Sequence, residues 1–163
     1  MPRSVRWYLL SALVIVVDYF TKLAALGAIA PGESRAMAPF FNLVLKFNKG
    51  AAFSFLADAQ GWQTPFFAAI AVVASAVIGF LIFKNKNKNL FCSGLALILG
   101  GALGNLYDRL AYGHVVDFLD FHAAGWHWPA FNVADAAITA GAAILIVESF
   151  LHRDRARNEK KQS

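Results

Sequence analysis

The chain has 163 residues, 58% of them hydrophobic and 15% charged, with a single cysteine and a formal net charge of +5. That balance excludes an ordinary soluble domain, an intrachain disulfide and a cysteine-rich metal motif. It does not call for nucleic acid either, because the basic residues lie beside the ends of long apolar runs, where they act as topology signals and meet anionic lipid headgroups.

Four apolar segments follow one another, at 7–30, 65–83, 90–110 and 133–151. Each is close to the ~20 residues that a helix needs to cross the bilayer core. Helices satisfy their own backbone groups, so the expected fold class is an all-α polytopic membrane protein. By length it is one embedded domain. Basic residues crowd three places: Arg3 and Arg6 before the first segment, Lys84, Lys86 and Lys88 between the second and third, and a run from Arg153 to Lys161 after the fourth. The positive-inside rule places both termini and the lysine loop in the cytoplasm, with segments 31–64 and 111–132 on the other side. The first segment has a rival reading as a cleaved signal peptide ending near Ala28–Ala30. Pro31 after the cut, and Asp18 and Lys22 within the apolar run, favour a retained helix.

The outer segments are not bare linkers. Between Phe41 and Asn48, Phe41, Leu43, Leu45 and Phe47 alternate with Asn42, Val44, Lys46 and Asn48. This period of two predicts a strand, closed by a turn at Asn48-Lys49-Gly50. Residues 115–121 and 126–131 predict further short strands. The picture is a small extracytoplasmic β-sheet, or cradle, at the membrane–water boundary above four helices. The tail from about residue 152 is expected in the cytoplasm and frayed from about Arg155. Cys92 reads as a small buried residue.

Chemistry gathers between residues 100 and 135, which hold four of the ten acidic residues. Charges near membrane depth are expensive and mark functional candidates. Asp18 and Lys22 are four apart and share a helix face. They read as an ion pair facing the bundle interior, or as a lysine that also biases a nearby carboxylate. Gly100-x-x-x-Gly104, with Ala136/Ala140 and Ala137/Gly141, predicts close helix packing. That packing is expected to bring Asn105, Asp108 and Arg109 near the start of the fourth helix, with Asp108 and Arg109 in supporting roles.

Asp117 and Asp135 fall at the same outer boundary. Two carboxylates held close cannot both ionise cheaply and share a proton. Such a pair can hydrolyse a peptide bond without metal, one drawing a proton from water and the other protonating the carbonyl oxygen and then the leaving amine. On spacing alone a simpler account stays open, with Asp135 capping the fourth helix and Asp117 a solvated strand residue. Asp120 has no evident partner and reads as solvated. His114, His122, His127 and His152 show no ligand spacing, so no metal is expected. Ser54 with Lys46 or Lys49 would make a serine–lysine pair, but nothing there lowers a lysine pKa.

Five short motifs, in order and between four spans, resemble the bacterial lipoprotein signal peptidase family, signal peptidase II. They are Asp18-Tyr19-Phe20-Thr21-Lys22, Asn48-Lys49-Gly50-Ala51-Ala52-Phe53, Gly104-Asn105-Leu106-Tyr107-Asp108-Arg109, Val115-Val116-Asp117-Phe118 and Phe131-Asn132-Val133-Ala134-Asp135. Lys49 departs from the small polar residue common there, while Asn48 and Gly50 keep the pattern. The resemblance implies that Asp117 and Asp135 are a catalytic dyad. It implies that Asn48, Gly50, Asn105, Arg109 and Asn132 shape the site or hold the substrate, and that Asp18, Lys22 and Asp108 stabilise it. The implied substrates are prolipoproteins whose cysteine carries diacylglycerol, cut just before that cysteine at the outer face of the cytoplasmic membrane. Membrane phospholipid and a globomycin-type inhibitor are the other implied partners. No cofactor and no nucleic acid are implied, and a monomer suffices because both acids come from one chain. A small proton-coupled transporter is the alternative, but it leads one to expect repeats and mid-membrane sites. A purely structural four-helix protein gives no reason for the acids to collect at one end.

Overall fold

The computed structural model describes residues 2–50 and 62–162, with side chains in the last helix described as far as Leu151. Ala51, Ala52, Phe53 and Ser54, singled out in the sequence, lie outside the described residues. The elements run α1 (Val5–Ala28), β1 (Ser34–Ala38), β2 (Phe41–Asn48), α2 (Gln63–Lys84), α3 (Asn89–Tyr112), β3 (Val115–Ala123), β4 (Trp126–His127) and α4 (Val133–Gln162). Four helices are long and apolar enough to cross a membrane, with mean hydropathies from 1.6 to 2.7.

α3 is the central helix. In its most apolar stretch 56% of residues are buried, against 28% or less in the other three, because it alone packs on α1, α2 and α4. α1 buries one stripe at helical spacing, Ser11, Val14, Asp18, Lys22 and Ala25, and turns Leu13, Phe20 and Leu23 outward. α2 exposes Val73, Val77 and Phe80, and α4 exposes Ile146 and Phe150. These outward faces suit lipid, which gives apolar side chains no reason to hide.

Close approach of the helices depends on small residues, but the pairing differs from the sequence expectation. Gly100 faces α1, and Gly104 faces α1 with Ala134 of α4 beside it. A Cβ on Gly104 would stand 2.7 Å from Asp18 Oδ2, and one on Gly100 2.7 Å from the Ser11 carbonyl. The closer contact with α4 is made by Gly94 and Gly101, against Gly141, Ala134 and Ile138. A Gly-x-x-x-Gly spacing specifies a smooth helix face without saying which neighbour occupies it.

The strands form one antiparallel sheet in the order β1-β2-β3-β4. Its inner side rests on the end of α1, where Leu45, Val116 and Phe118 pack against Ala25 and Ile29. β1 had no period-two signal; four of its five residues are exposed, as suits an edge strand. β4 is only two residues long, shorter than the 126–131 expected, because Pro129 has no N–H to give to a ladder. The chain rejoins β3 at Phe131, which pairs with Leu119.

The two ends of the bundle are distinct. At one, Arg3 and Arg6 donate to Asn87 and Asn89, and the Trp7 indole donates to the Lys86 carbonyl, so the start of α1 holds the lysine loop. At the other lie the sheet and the motif residues. α4 continues past its apolar span to Gln162, which suits a tail rich in Arg and Lys, both good helix formers.

Candidate active site

α3 ends at Gly113, whose φ of 74° reverses the chain into β3. That left-handed conformation strains a residue with a Cβ. It allows Asp108, in the last turn of α3, to accept a hydrogen bond from the Val116 backbone N–H at 3.1 Å. The next residue, Asp117, is thereby set over the helix ends.

Lys22 is the hub beneath it. Only 3% exposed, its Nζ lies 2.7 Å from Asp18 Oδ2 and 2.8 Å from Asp108 Oδ2, and it donates to Asn105 Oδ1 at 3.0 Å. Three donors meet three acceptors, so the buried ammonium is fully used. Asp18 Oδ1 accepts from the Ala134 N–H at 2.9 Å, which ties α1 to the first turn of α4.

Asn132 and Asp135 form a reciprocal cap at the start of α4. Asn132 Oδ1 accepts from the Asp135 N–H at 2.9 Å, and Asp135 Oδ2 accepts from the Asn132 N–H at 3.2 Å. Capping uses only one of Asp135's oxygens. The other, Oδ1, accepts from Asn105 Nδ2 at 2.8 Å. The Asn132 amide is shared as well, its Nδ2 donating to Asp117 Oδ1 at 2.8 Å, with Asn105 Oδ1 and the Val116 carbonyl both at 3.2 Å. Asp117 Oδ2 accepts from Asn48 Nδ2 at 3.1 Å. Asn48 Oδ1 in turn accepts from the Gly50 N–H at 2.9 Å, closing the expected turn.

Asp117 and Asp135 therefore hang on one residue, Asn132, which bonds to both. Asp117 is 3% exposed, while Asp135 is half-buried. Burial raises the Asp117 carboxyl, and the Asp135 charge adds to it, to about 7, against the pull of Asn48 and Asn132. A carboxyl in that range exchanges protons near neutral pH, as an acid–base catalyst must. Arg109, also half-buried, donates to the Gly50 carbonyl at 3.2 Å and the Asn105 carbonyl at 3.3 Å, with its guanidinium carbon 5.7 Å from the centre of the Phe67 ring. It braces the turn after β2 against α3 and α2.

Every residue singled out for the site from the sequence is thus in one connected cluster at one end of the bundle. Asp120 is the exception to its expectation. It is not solvated but 4% exposed, and both its oxygens lie within 3.0 Å of His127 Nδ1, with Asn42 Nδ2 at 3.0 Å from Oδ2. Burial alone would raise its carboxyl, but the bonds from His127 and Asn42 and the charges of His127 and Lys46 outweigh it and hold it below the usual carboxylate range. The missed signal was the hairpin itself. Asp120 and His127 are seven apart but nearly opposite once residues 123–126 turn back. Cys92 is buried, its Sγ 3.1 Å from the Asn85 carbonyl.

The family model described as signal peptidase (SPase) II matches residues 10–151 of the chain. A lipoprotein signal peptidase of Paraburkholderia phymatum is 55% identical over 142 residues, covering 87% of this chain and 86% of that protein. One of Ralstonia nicotianae is 57% identical over the same length, covering 82% of the relative. Among solved structures, a bacterial membrane enzyme determined by the in meso method at 2.3 Å superposes with a TM-score of 0.80 at 29% identity, covering 93% of this chain and 90% of the other.

Proposed function

The chain belongs to the signal peptidase II family, whose model spans 10–151, and from that premise we propose that Asp117 and Asp135 are the two catalytic carboxylates of this membrane aspartic endopeptidase. The observation that carries the assignment is Asn132, whose side-chain and backbone nitrogens bond one carboxylate each. The dyad holds one proton between its members. The N-terminus of α4 favours placing the negative charge on Asp135. Asp135 then takes a proton from water as the water attacks the scissile carbonyl, while Asp117 protonates the carbonyl oxygen. Collapse of the tetrahedral intermediate breaks the C–N bond: the proton held by Asp135 passes to the departing amine, and a hydroxyl of the intermediate returns its proton to Asp117. Asn48, Asn105 and Asn132 keep the carboxylates oriented, Gly50 and Arg109 shape the wall beside them, and Asp18, Lys22 and Asp108 form the floor.

The substrates are prolipoproteins whose cysteine carries diacylglycerol, cut immediately before that cysteine. A lipid-anchored cysteine is held at the boundary where the dyad lies, so the membrane itself presents the bond. The orientation that fits this chemistry has both termini and the 84–88 loop in the cytoplasm, by the positive-inside rule, and the dyad at the outer face of the cytoplasmic membrane. A globomycin-type cyclic peptide would compete for the same space. The test is turnover of a diacylglyceryl-modified prolipoprotein by purified protein in detergent. Asp117→Asn and Asp135→Asn each remove cleavage while the protein stays folded. Wild-type turnover in either variant would overturn the assignment.

A further inference from the structure

We propose that Asp120, His127 and Asn42 form a positioning clasp, which holds the two limbs of the β3–β4 hairpin at the register that seats Asn132 against Asp117. The inference rests on the dyad assignment and extends it to residues that touch neither carboxylate. The outgoing limb of the hairpin carries Asp117. The returning limb ends at Asn132, which caps α4 and leads to Asp135. How these limbs lie against each other therefore sets how the catalytic pair meets.

The backbone holds the returning limb in two short stretches, on either side of Pro129. β4 contributes two pairs, His122 with His127 and Ala123 with Trp126. Beyond them, Trp128 N–H donates to the Phe121 carbonyl, and Phe131 donates to the Leu119 carbonyl and accepts from the Phe118 and Leu119 N–H groups. Pro129 between them donates nothing. The turn is tight, with Ala124 at φ 49° and Gly125 at φ 80°, and a left-handed alanine costs rather than contributes. The clasp supplies what the ladder lacks. One buried carboxylate, on β3, takes hydrogen bonds from β2 through Asn42 and from β4 through His127. A carboxylate only accepts, so His127 carries its proton on Nδ1. His122 stacks on the same ring at 4.9 Å and 25°, fixing its plane. A buried acid at this place is costly unless its partners are held, and Asp120 is three strand residues, or roughly 10 Å, from Asp117. It acts through the hairpin, not on substrate.

A displacement near 1 Å at a catalytic group costs on the order of a hundredfold in rate. Asp120→Ala and His127→Ala should each lower kcat on a diacylglyceryl-modified prolipoprotein by about tenfold to a hundredfold, with KM nearly unchanged because the lipid still docks. The double variant should be no slower than the worse single, since both remove the same bond. His127→Asn, which retains an N–H donor near the position of Nδ1, should recover most of kcat. His127 is exposed, so its replacement spares the core. Wild-type kcat in both single variants, two losses that multiply, or a His127→Asn as slow as His127→Ala would each overturn the inference. Turnover surviving Asp117→Asn would instead bring down the dyad assignment, so the two failures are told apart.

Discussion

Two pairs of aspartates lie at the same end of the bundle, and the fold treats them oppositely. Asp18 and Asp108 both close on the Lys22 ammonium, at 2.7 and 2.8 Å. Asp117 and Asp135 receive hydrogen bonds from Asn48, Asn105 and Asn132, all of them neutral amides. Among the described residues no cation is within ion-pair distance of either. A cation settles a buried charge where it stands. Amides orient a carboxylate and leave its charge uncompensated, so burial and the neighbouring acid raise its proton affinity. On the proposed assignment the first pair is a floor and the second a reagent, although all four are the same residue type on adjoining elements.

The sharpest way to break that contrast is to neutralise one pair and then the other. In the amide-held pair, Asp→Asn keeps the shape and removes the proposed acid–base function. The expected loss of turnover is at least about 10²–10⁴-fold, the ordinary worth of general acid–base catalysis, with the thermal unfolding midpoint in detergent held or raised. A collapse of stability in Asp117→Asn would show that the dyad is structural too. In the cation-held pair the effect falls on folding. Lys22→Met strands Asp18 and Asp108 as buried anions, which costs about 3–5 kcal/mol when one partner of a buried pair is lost. Denaturant unfolding in detergent measures it, and an unchanged midpoint would mean the floor is not held by charge.

The same contrast explains what could be read from the chain and what could not. Apolar runs of membrane length, and a strand of period two, announce themselves locally, so the helices and the strand at 41–48 were legible, and a strand was expected at 115–121 where β3 runs to Ala123. The five motifs marked the residues that the structure brings together. Partnership across space was not legible. Asp120 looked solvated because its histidine lies on the far side of a hairpin turn, where spacing says nothing about register. The glycines at 100 and 104 announced a close neighbour, but only the packed bundle shows that both meet α1 and that Gly104 also meets Ala134 of α4. On spacing alone Asp135 could be a helix cap or a reagent; it caps with one oxygen and offers the other to Asn105.

Titration sharpens the comparison further. Asp117 is raised from 3.8 to about 7, so the folded protein holds this proton more tightly than the unfolded chain does. Its contribution to stability is fully present below pH 3.8 and is lost as pH rises through 7. Unfolding midpoints of the wild type should fall across that window, and Asp117→Asn should flatten this part of the slope. Turnover should decline on the alkaline side near pH 7 as the shared proton leaves, giving one limb of a bell-shaped profile. A pH–rate profile flat through neutrality would show that no proton is shared there.

The smallest expected effect tests how tightly the floor is fitted. A methyl on Gly104 would meet Asp18 Oδ2 at 2.7 Å, closer than a carbon and an oxygen can stand. Asp18 cannot simply swing aside, since its two oxygens are committed to Lys22 and to the Ala134 N–H. α1 and α3 must therefore separate slightly, at the usual overpacking cost of about 1–3 kcal/mol. Gly104→Ala should lower the unfolding midpoint by less than Lys22→Met does, because the ion pairs survive with a shifted helix. The floor reaches Asp135 indirectly, through Asn105 and through the Ala134 N–H, so kcat should fall less than in Asp117→Asn. A variant as inactive as Asp117→Asn would mean that floor and reagent are one rigid unit, and the division drawn between the two aspartate pairs would not hold.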